Sequence, residues 1–455
     1  MYRKSDLQFL QDLYDRPSND IAVIYGRVSV GVSELVRDFA RDKESLYYRS
    51  TPLTHKSQLE QFIFELHEQT KVPIFPDDNN KRLLDFFVNN HTYKKVIVLD
   101  DFQYIIRSNP TFINFLSDML FEHFEAGSVM FLLVTDDVKW VETDMIGLIG
   151  SKSSEISAVN KIKGFSFAEF GDCFADMALD EKIRIYSVLG GNSLYYNDIG
   201  DDTDAAAVIR RWLAKWNDME AGSDIYLPRD IRDPVIYNTL LVNIASGSGK
   251  LNDLHTSMNM DRGKLSVYLK TLENNDIIEK LKGATVGDIN CVKKGTYRIK
   301  DNTVRFYYRY VFPRLSSLRV YGEDRFYKRF IENELSAHIE GIYPRLCMEY
   351  IVGLQRKGRL NFIVDSVEEY FDKSEAVDFV IIVKGVSIIA CACNYKHSAM
   401  KYEQLERVRE SIRRNKLMCE NIWLFSESGF DDKLVSCAAS DPGVKLLALS
   451  DETPR

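Results

Sequence analysis

The stretch IAVIYGRVSVGVSEL, residues 21 to 35, narrows the possible folds of this chain more than any other. An apolar run meets Gly26, Gly31 follows, and SELVRDFA then carries Leu35, Val36 and Phe39 at helical spacing. Strand, tight turn and helix in that order are the parts of a phosphate-binding loop. Backbone N–H groups wrap the phosphates at the helix N-terminus, a lysine adds charge, and a Ser or Thr hydroxyl serves Mg²⁺. Gly26, Gly31 and Ser33 match G-x-x-x-x-G-K-[ST], but Val32 stands at the lysine position. An ordinary strand-to-helix turn would look the same in isolation. The missing lysine removes a charge-assisted hydrogen bond worth roughly 1.5–3 kcal/mol. Weakened nucleotide binding survives such a loss, whereas efficient hydrolysis does not.

The surroundings decide between the two. Leu46 to Tyr48, residues 94–101 (KKVIVLDD) and residues 128–137 (SVMFLLVTDD) read as further strands. Residues 58–69 read as an amphipathic helix with Leu59, Phe62, Ile63 and Leu66 on one face. Strands alternating with helices predict an α/β fold, a parallel sheet covered on both sides. Ligands of such sheets bind at the carboxyl ends of the strands, where the 26–33 loop, Asp100 and Thr135 would lie. Asp100 ends its strand where an aspartate would order Mg²⁺ and its water. Asp101 takes the place of a catalytic glutamate and is one methylene short for polarising an attacking water. Thr135 and Asp136 stand where a polar sensor would follow the fourth strand.

Beyond residue 165 the pattern changes. Residues 165–230 are mainly helical, with GGNSLYYNDI (190–199) as a turn. Residues 232–313 offer three short helices and a β hairpin, the order of a winged helix-turn-helix. Arg262, Lys264 and Lys270 decorate its third helix, and Lys280, Lys282, Lys293 and Lys294 surround the wing. These cations suit DNA phosphates, although Asp261 and Glu273 dilute them and any surface helix carries Lys and Arg. Then come a helix over 324–339, another over 345–355, the strands VDFVIIV and VSIIACACNYK, a charged helix and a strand at 421–426.

At 455 residues about three domains are expected. A net charge of −8 argues against a globally basic nucleic-acid binder. No run of about 18 apolar residues predicts a membrane span, the N-terminus lacks a signal-peptide core, and the seven scattered cysteines suit a reducing cytoplasm. Cys391 and Cys393 form the one close pair, and inside an apolar run they read as buried strand.

Four motifs together resemble the archaeal-type ATPases, P-loop NTPases of the AAA+/STAND-related group. IYGRVSVGVSELV is similar to the family's YGRRRVGKTELI loop, and VIVLDDFQYI to its VIDEFQYL. GGNSLYYNDI is similar to its GGVPYYL turn, and YRIKDNTVRFYYRYVFP to the YRIKDPFLRFWYRFVYP that opens its DUF234-like domain. The resemblance implies a P-loop core at 1–165, a helical lid at 166–231, a winged helix-turn-helix at 232–313 and a restriction-endonuclease-like α/β domain at 314–455. It implies ATP at Gly26, Arg27, Gly31, Val32 and Ser33, Mg²⁺ at Ser33 and Asp100, and the catalytic position at Asp101. A nuclease of the PD-(D/E)xK type needs further metal-binding acids and a lysine. Asp378 matches the first acid, but Ala392 and Asn394 replace the Glu and Lys, Pro344 stands at the helix Glu, and Lys396 falls two residues late. The nuclease site is therefore a remnant. The expected protein is a degenerate family member with weak or no ATP hydrolysis, a nucleotide-binding or scaffolding module with a protein partner or homo-oligomeric state. One alternative is a slow ATPase in which Arg27 or a neighbouring subunit's arginine restores the charge. The other is a winged-helix DNA-binding protein whose ATPase core is only architecture.

Overall fold

Alternate residues of the apolar runs bury on opposite faces of one sheet. The computed structural model describes residues 3–73, 80–89, 93–120, 124–200, 204–218, 226–228, 231–286, 289–290, 295–385, 387–395 and 398–450. The chain forms two compact units, residues 1–164 with 274–276 and residues 165–273 with 277–455.

The N-terminal unit is built on five parallel strands: β1 (Asp20–Tyr25), β2 (Ser45–Arg49), β3 (Lys95–Asp100), β4 (Val129–Thr135) and β5 (Ala158–Lys161), in the order β2-β3-β4-β1-β5. Ile21, Val23, Ile97, Leu99, Phe131 and Leu133 face one apolar cluster. Ala22, Ile24, Val96, Val98, Leu132 and Val134 face the other. A strand buried on both sides needs apolar residues throughout, which is why β1, β3 and β4 read as continuous runs. Each fully buried Val, Leu or Ile contributes about 1.5–3 kcal/mol, so the sheet is the main source of this unit's stability. The second cluster is closed by α1 (Lys4–Tyr14) through Leu10 and Leu13, and by α2 (Val32–Ala40) through Leu35, Val36 and Phe39. The first is closed by α3 (His55–Thr70), α4 (Asn80–Asn89), α5 (Gln103–Ser108), α6 (Phe112–Asp118), α7 (Val138–Thr143) and α8 (Met145–Ile149).

The second unit begins with α9 (Phe167–Cys173), whose Ser166 and Glu169 form a capping box, then α10 (Leu179–Leu189) and α11 (Ala205–Asp218). Three helices follow, α12 (Pro234–Ala245), α13 (Leu251–Met258) and α14 (Arg262–Asn274). After them β6 (Ile278–Lys280) pairs antiparallel with β9 (Tyr297–Ile299), and between these β7 (Thr285–Val286) pairs with β8 (Ile289–Asn290). Lys293 and Lys294 lie outside the described residues, as does Lys396.

The YRIKDNTVRFYYRYVFP segment forms the middle of this unit. Asp301 caps α15 (Asn302–Phe306) by accepting the N–H groups of Thr303 and Val304 at 2.8 and 3.1 Å. Phe306 lies 5.7 Å from Trp212 and Tyr307 lies 4.3 Å from Trp216, ring to ring, so the segment and α11 share one aromatic core. The helix expected over 324–339 is two helices in the fold. α16 (Leu315–Phe330) ends at Ile331, and α17 (Leu335–Glu340) starts anew after the turn through 331–334. Apolar spacing continues across this turn, so periodicity alone hides the break.

α18 (Tyr343–Arg356) leads into a second sheet of β10 (Ser366–Glu369), β11 (Phe379–Val383), β12 (Ser387–Asn394), β13 (Cys419–Ser426) and β14 (Val444–Leu447), paired in chain order. The first two pairings are antiparallel and the last two parallel. The parallel pairs are connected by α19 (Tyr402–Asn415) and α20 (Asp432–Ser440), as a parallel crossover requires. Cys391 is fully buried within β12 and Cys393 partly so. Among the described residues, no helix is long and apolar enough to cross a membrane.

Candidate functional site

The loop between β1 and α2 is shaped by its two glycines. Gly26 sits so close to its neighbours that a Cβ there would lie 2.5 Å from the Ile162 carbonyl oxygen and 2.9 Å from a Val30 methyl. Gly31 has φ +75°, the left-handed conformation that favours glycine, and it ends the loop as the N-cap of α2. The first intrahelical bond of α2 runs from Leu35 N–H to Gly31 O, which leaves the amides of Val32, Ser33 and Glu34 directed out of the helix end. Val32 does not reach over the loop. Its side chain is 5 % exposed and packs in the apolar cluster beneath α2. Arg27 is half-buried at the start of the loop.

The acids stand at the end of β3. Asp100 is buried, and its Oδ1 accepts the Ser33 hydroxyl at 3.1 Å and the Asp101 N–H at 3.0 Å. Loop hydroxyl and strand acid thus meet although β4 lies between their strands in the sheet. The N-terminal unit is an α/β fold whose loop and strand acid lie together at the carboxyl edge of a parallel sheet. Within this unit, the Tyr47 hydroxyl donates to the other Asp100 oxygen at 2.5 Å. Burial raises the Asp100 carboxyl above its ordinary range, and burial and the nearby Asp100 push the Tyr47 phenol far up.

Asp101 adopts the left-handed conformation, φ +54°, and is also buried. Its Oδ2 accepts from Arg49 Nε at 2.9 Å and its Oδ1 from Gln103 Nε2 at 3.4 Å. The hydrogen bond to Asp101 raises the Arg49 guanidinium further. Gln103 Oε1 in turn accepts the Thr135 hydroxyl at 2.6 Å, and Thr135 Oγ1 accepts the Asp137 N–H at 3.1 Å. Arg49, Asp101, Gln103 and Thr135 therefore form one chain across three strand ends.

The donor set does not suit Mg²⁺. A magnesium ion needs near-octahedral oxygen ligands, keeps several waters, and relies on an ionised carboxylate to hold them. Here both Asp100 oxygens already accept hydrogen bonds within the protein, one from the Tyr47 phenol and the other from the Ser33 hydroxyl and the Asp101 N–H.

Tyr47 and Arg49 escape a motif search because their roles depend on β2 pairing with β3, which sets Arg49 opposite Asp100, whereas Gln103 lies inside the VIVLDDFQYI motif and only its bond to Thr135 is long-range. The alternating polar and apolar residues of SLYYR were the available signal. Arg3 also escapes it: from the start of α1 its Nη2 donates to Val30 O in the loop at 2.7 Å.

In the second unit, Arg262, Lys264 and Lys270 are exposed on α14, with Lys280 and Lys282 exposed near β6. Leu265, Leu269 and Leu272 of the same helix are buried. Asp378 precedes β11 and its Oδ2 accepts the Cys393 N–H at 2.7 Å. Burial pushes its carboxyl up to about 6, and Glu340, Glu369 and Glu375 add to the shift. Ala392 packs in the apolar core of this sheet, and the Asn394 amide donates to Ser398 O and Ser426 Oγ.

Comparison with known proteins finds the following similarities. Residues 307–408 match the family DUF234, described as archaea bacterial proteins of unknown function. An uncharacterized protein of Methanocaldococcus jannaschii is 21% identical over 384 residues, 84% of this chain and 83% of that one. A Walker-type ATPase of Pyrococcus abyssi has a TM-score of 0.49 at 15% identity, covering 67% of this chain and 95% of its own. The Aeropyrum pernix ORC2 protein, solved with ADPNP and ADP, has a TM-score of 0.40 at 15% identity, covering 74% and 94%.

Proposed function

We propose that the P-loop unit binds a nucleotide without efficient turnover, and that the chain acts as a binding or scaffolding module. The observation that carries this is the state of Asp101. The residue in line to polarise an attacking water is tied into an ion pair with Arg49 and a hydrogen bond with Gln103. A general base must be free to take a proton within hydrogen-bond reach, and Asp101 already accepts on both oxygens. The loop, by contrast, keeps both glycines and the outward amides of the α2 N-terminus, which favour anions. ATP titration of the full chain beside a phosphate-release assay tests the proposal. Saturable binding without release supports it, and turnover abolished by Asp100→Ala overturns it.

Val32→Lys measures how much of the cradle remains. A lysine at this position would regain roughly 1.5–3 kcal/mol of charge-assisted hydrogen bonding, a gain of about 10-fold or more in ATP affinity. Titration calorimetry is the readout, and no gain would mean that a side chain at position 32, now packed in the core, does not reach the phosphates.

A second reading rests on α14, whose exposed face carries Arg262, Lys264, Lys270, Ser266 and the 65 % exposed Val267. Basic, small and apolar side chains on one solvent face suit a duplex groove. Under this reading the protein binds DNA at low salt. Lys270→Glu would then weaken binding and lower the slope of log affinity against log salt by about 1. Absence of DNA binding at low salt would eliminate it.

A further inference from the structure

We infer that Tyr47 takes the place of the metal's water shell at Asp100, so that this site binds the metal-free form of a nucleoside polyphosphate. The inference rests on the nucleotide reading above and adds the chemical form of the ligand.

Three observations converge on it. The Tyr47 hydroxyl donates to Asp100 Oδ2 at 2.5 Å, the Ser33 hydroxyl to Oδ1 at 3.1 Å and the Asp101 N–H to Oδ1 at 3.0 Å. Asp100 is thus a satisfied acceptor inside the protein rather than an outward carboxylate waiting for a hydrated cation. Tyr47 projects from β2 next to β3, and its ring is half-buried, so it is a fixed part of the wall. The side chain at the lysine position, Val32, is buried in the core and brings no charge to the β- and γ-phosphates. Lysine and metal are the two elements that read a magnesium-complexed triphosphate, and neither is supported here. What remains for the phosphates is the backbone of the loop and the end of α2, which bind an anion whether or not it carries a metal.

The residues of this site therefore decide against the metal on geometry.

Equilibrium dialysis of the full chain with ATP, in Mg²⁺ and in EDTA, tests this, with Tyr47→Phe run alongside. The wild type is expected to bind ATP with the same affinity, within about twofold, in both buffers. Tyr47→Phe keeps the ring and frees the Asp100 oxygen, so its affinity is expected to rise at least fivefold when Mg²⁺ is added. Mn²⁺ in place of Mg²⁺ gives an independent readout, since its electron paramagnetic resonance signal broadens only when the metal is held at the site. A wild type that loses more than tenfold in EDTA, or that holds Mn²⁺ together with ATP, overturns the inference while leaving nucleotide binding intact. A Tyr47→Phe protein indifferent to Mg²⁺ overturns the role of Tyr47. Binding in neither buffer overturns the nucleotide reading itself, and this inference with it.

Discussion

Gly26→Ala is expected to destabilise the N-terminal unit by about 3 kcal/mol and to reduce nucleotide affinity more than 10-fold. The added Cβ would lie 2.5 Å from the Ile162 carbonyl oxygen, 2.9 Å from a Val30 methyl and 3.1 Å from a Val32 methyl. The first of these belongs to backbone held by its own hydrogen bonds, since Ile162 N–H donates to Tyr25 O at 2.7 Å. It cannot turn aside as a flexible side chain would. Either the end of β5 moves away from β1 or the loop shifts as a block, and either change displaces the amides of Val32 and Ser33. Gly147→Ala is the control: it lies in α8 with nothing within 4 Å of its Cβ. It is expected to be neutral or to stabilise by about 0.5–1 kcal/mol. Denaturant titration of both variants separates the two. Equal effects would mean that the Gly26 contact is not the constraint described.

Asp378→Asn is expected to stabilise the second unit at pH 8, about half as much at pH 5, and to do little near pH 3. The carboxyl is pushed up to about 6 by burial and by three neighbouring acids, whereas an unfolded Asp titrates near 3.9. A raised carboxyl makes the folded state hold its proton longer. Its contribution favours folding fully below about 3.9 and is lost as pH rises through about 6. Above that, the buried charge costs about 3 kcal/mol, two units at 1.36 kcal/mol each, as an upper figure. An asparagine retains an oxygen for the Cys393 N–H, now donated to Asp378 at 2.7 Å, but carries no charge. The stability difference between variant and wild type, measured by urea unfolding, should therefore grow from near zero at pH 3 through about 1.5 kcal/mol at pH 5 to about 3 kcal/mol at pH 8. A difference that does not change with pH would show that burial does not raise the Asp378 carboxyl, and a variant that loses stability relative to wild type as pH rises would show that Asp378 is paired with a cation or holds a metal. The fold supports the growing difference, because Ala392 and Asn394 supply neither ligand nor charge beside it.

The central strands and the loop could be found in the sequence because their apolar runs and glycines are local signals. β1, β3, β4 and α2 fall where IAVIY, KKVIVLDD, SVMFLLVTDD and SELVRDFA place them. β5 and β10 could not be found this way. Ala158–Lys161 and Ser366–Glu369 are four-residue strands, with no apolar run, and only their partners β1 and β11 make them strands. Ser33 and Asp100 were legible from motif order, and the sheet does bring them together. The ties on Asp101 and Asp100 were not, because Arg49, Gln103 and Tyr47 meet them only through strand pairing and side-chain direction. The same holds for Val32: the sequence shows a missing lysine, and only the fold shows that its replacement is core.

The most direct test is the nucleotide held by the purified full chain after incubation with ATP, recovered and quantified by mass spectrometry. A chain that binds without turnover retains ATP itself, in proportion to protein, with no ADP above a no-protein control. ADP that accumulates with time and disappears in Asp100→Ala, or a chain that retains no nucleotide at all, would contradict the account.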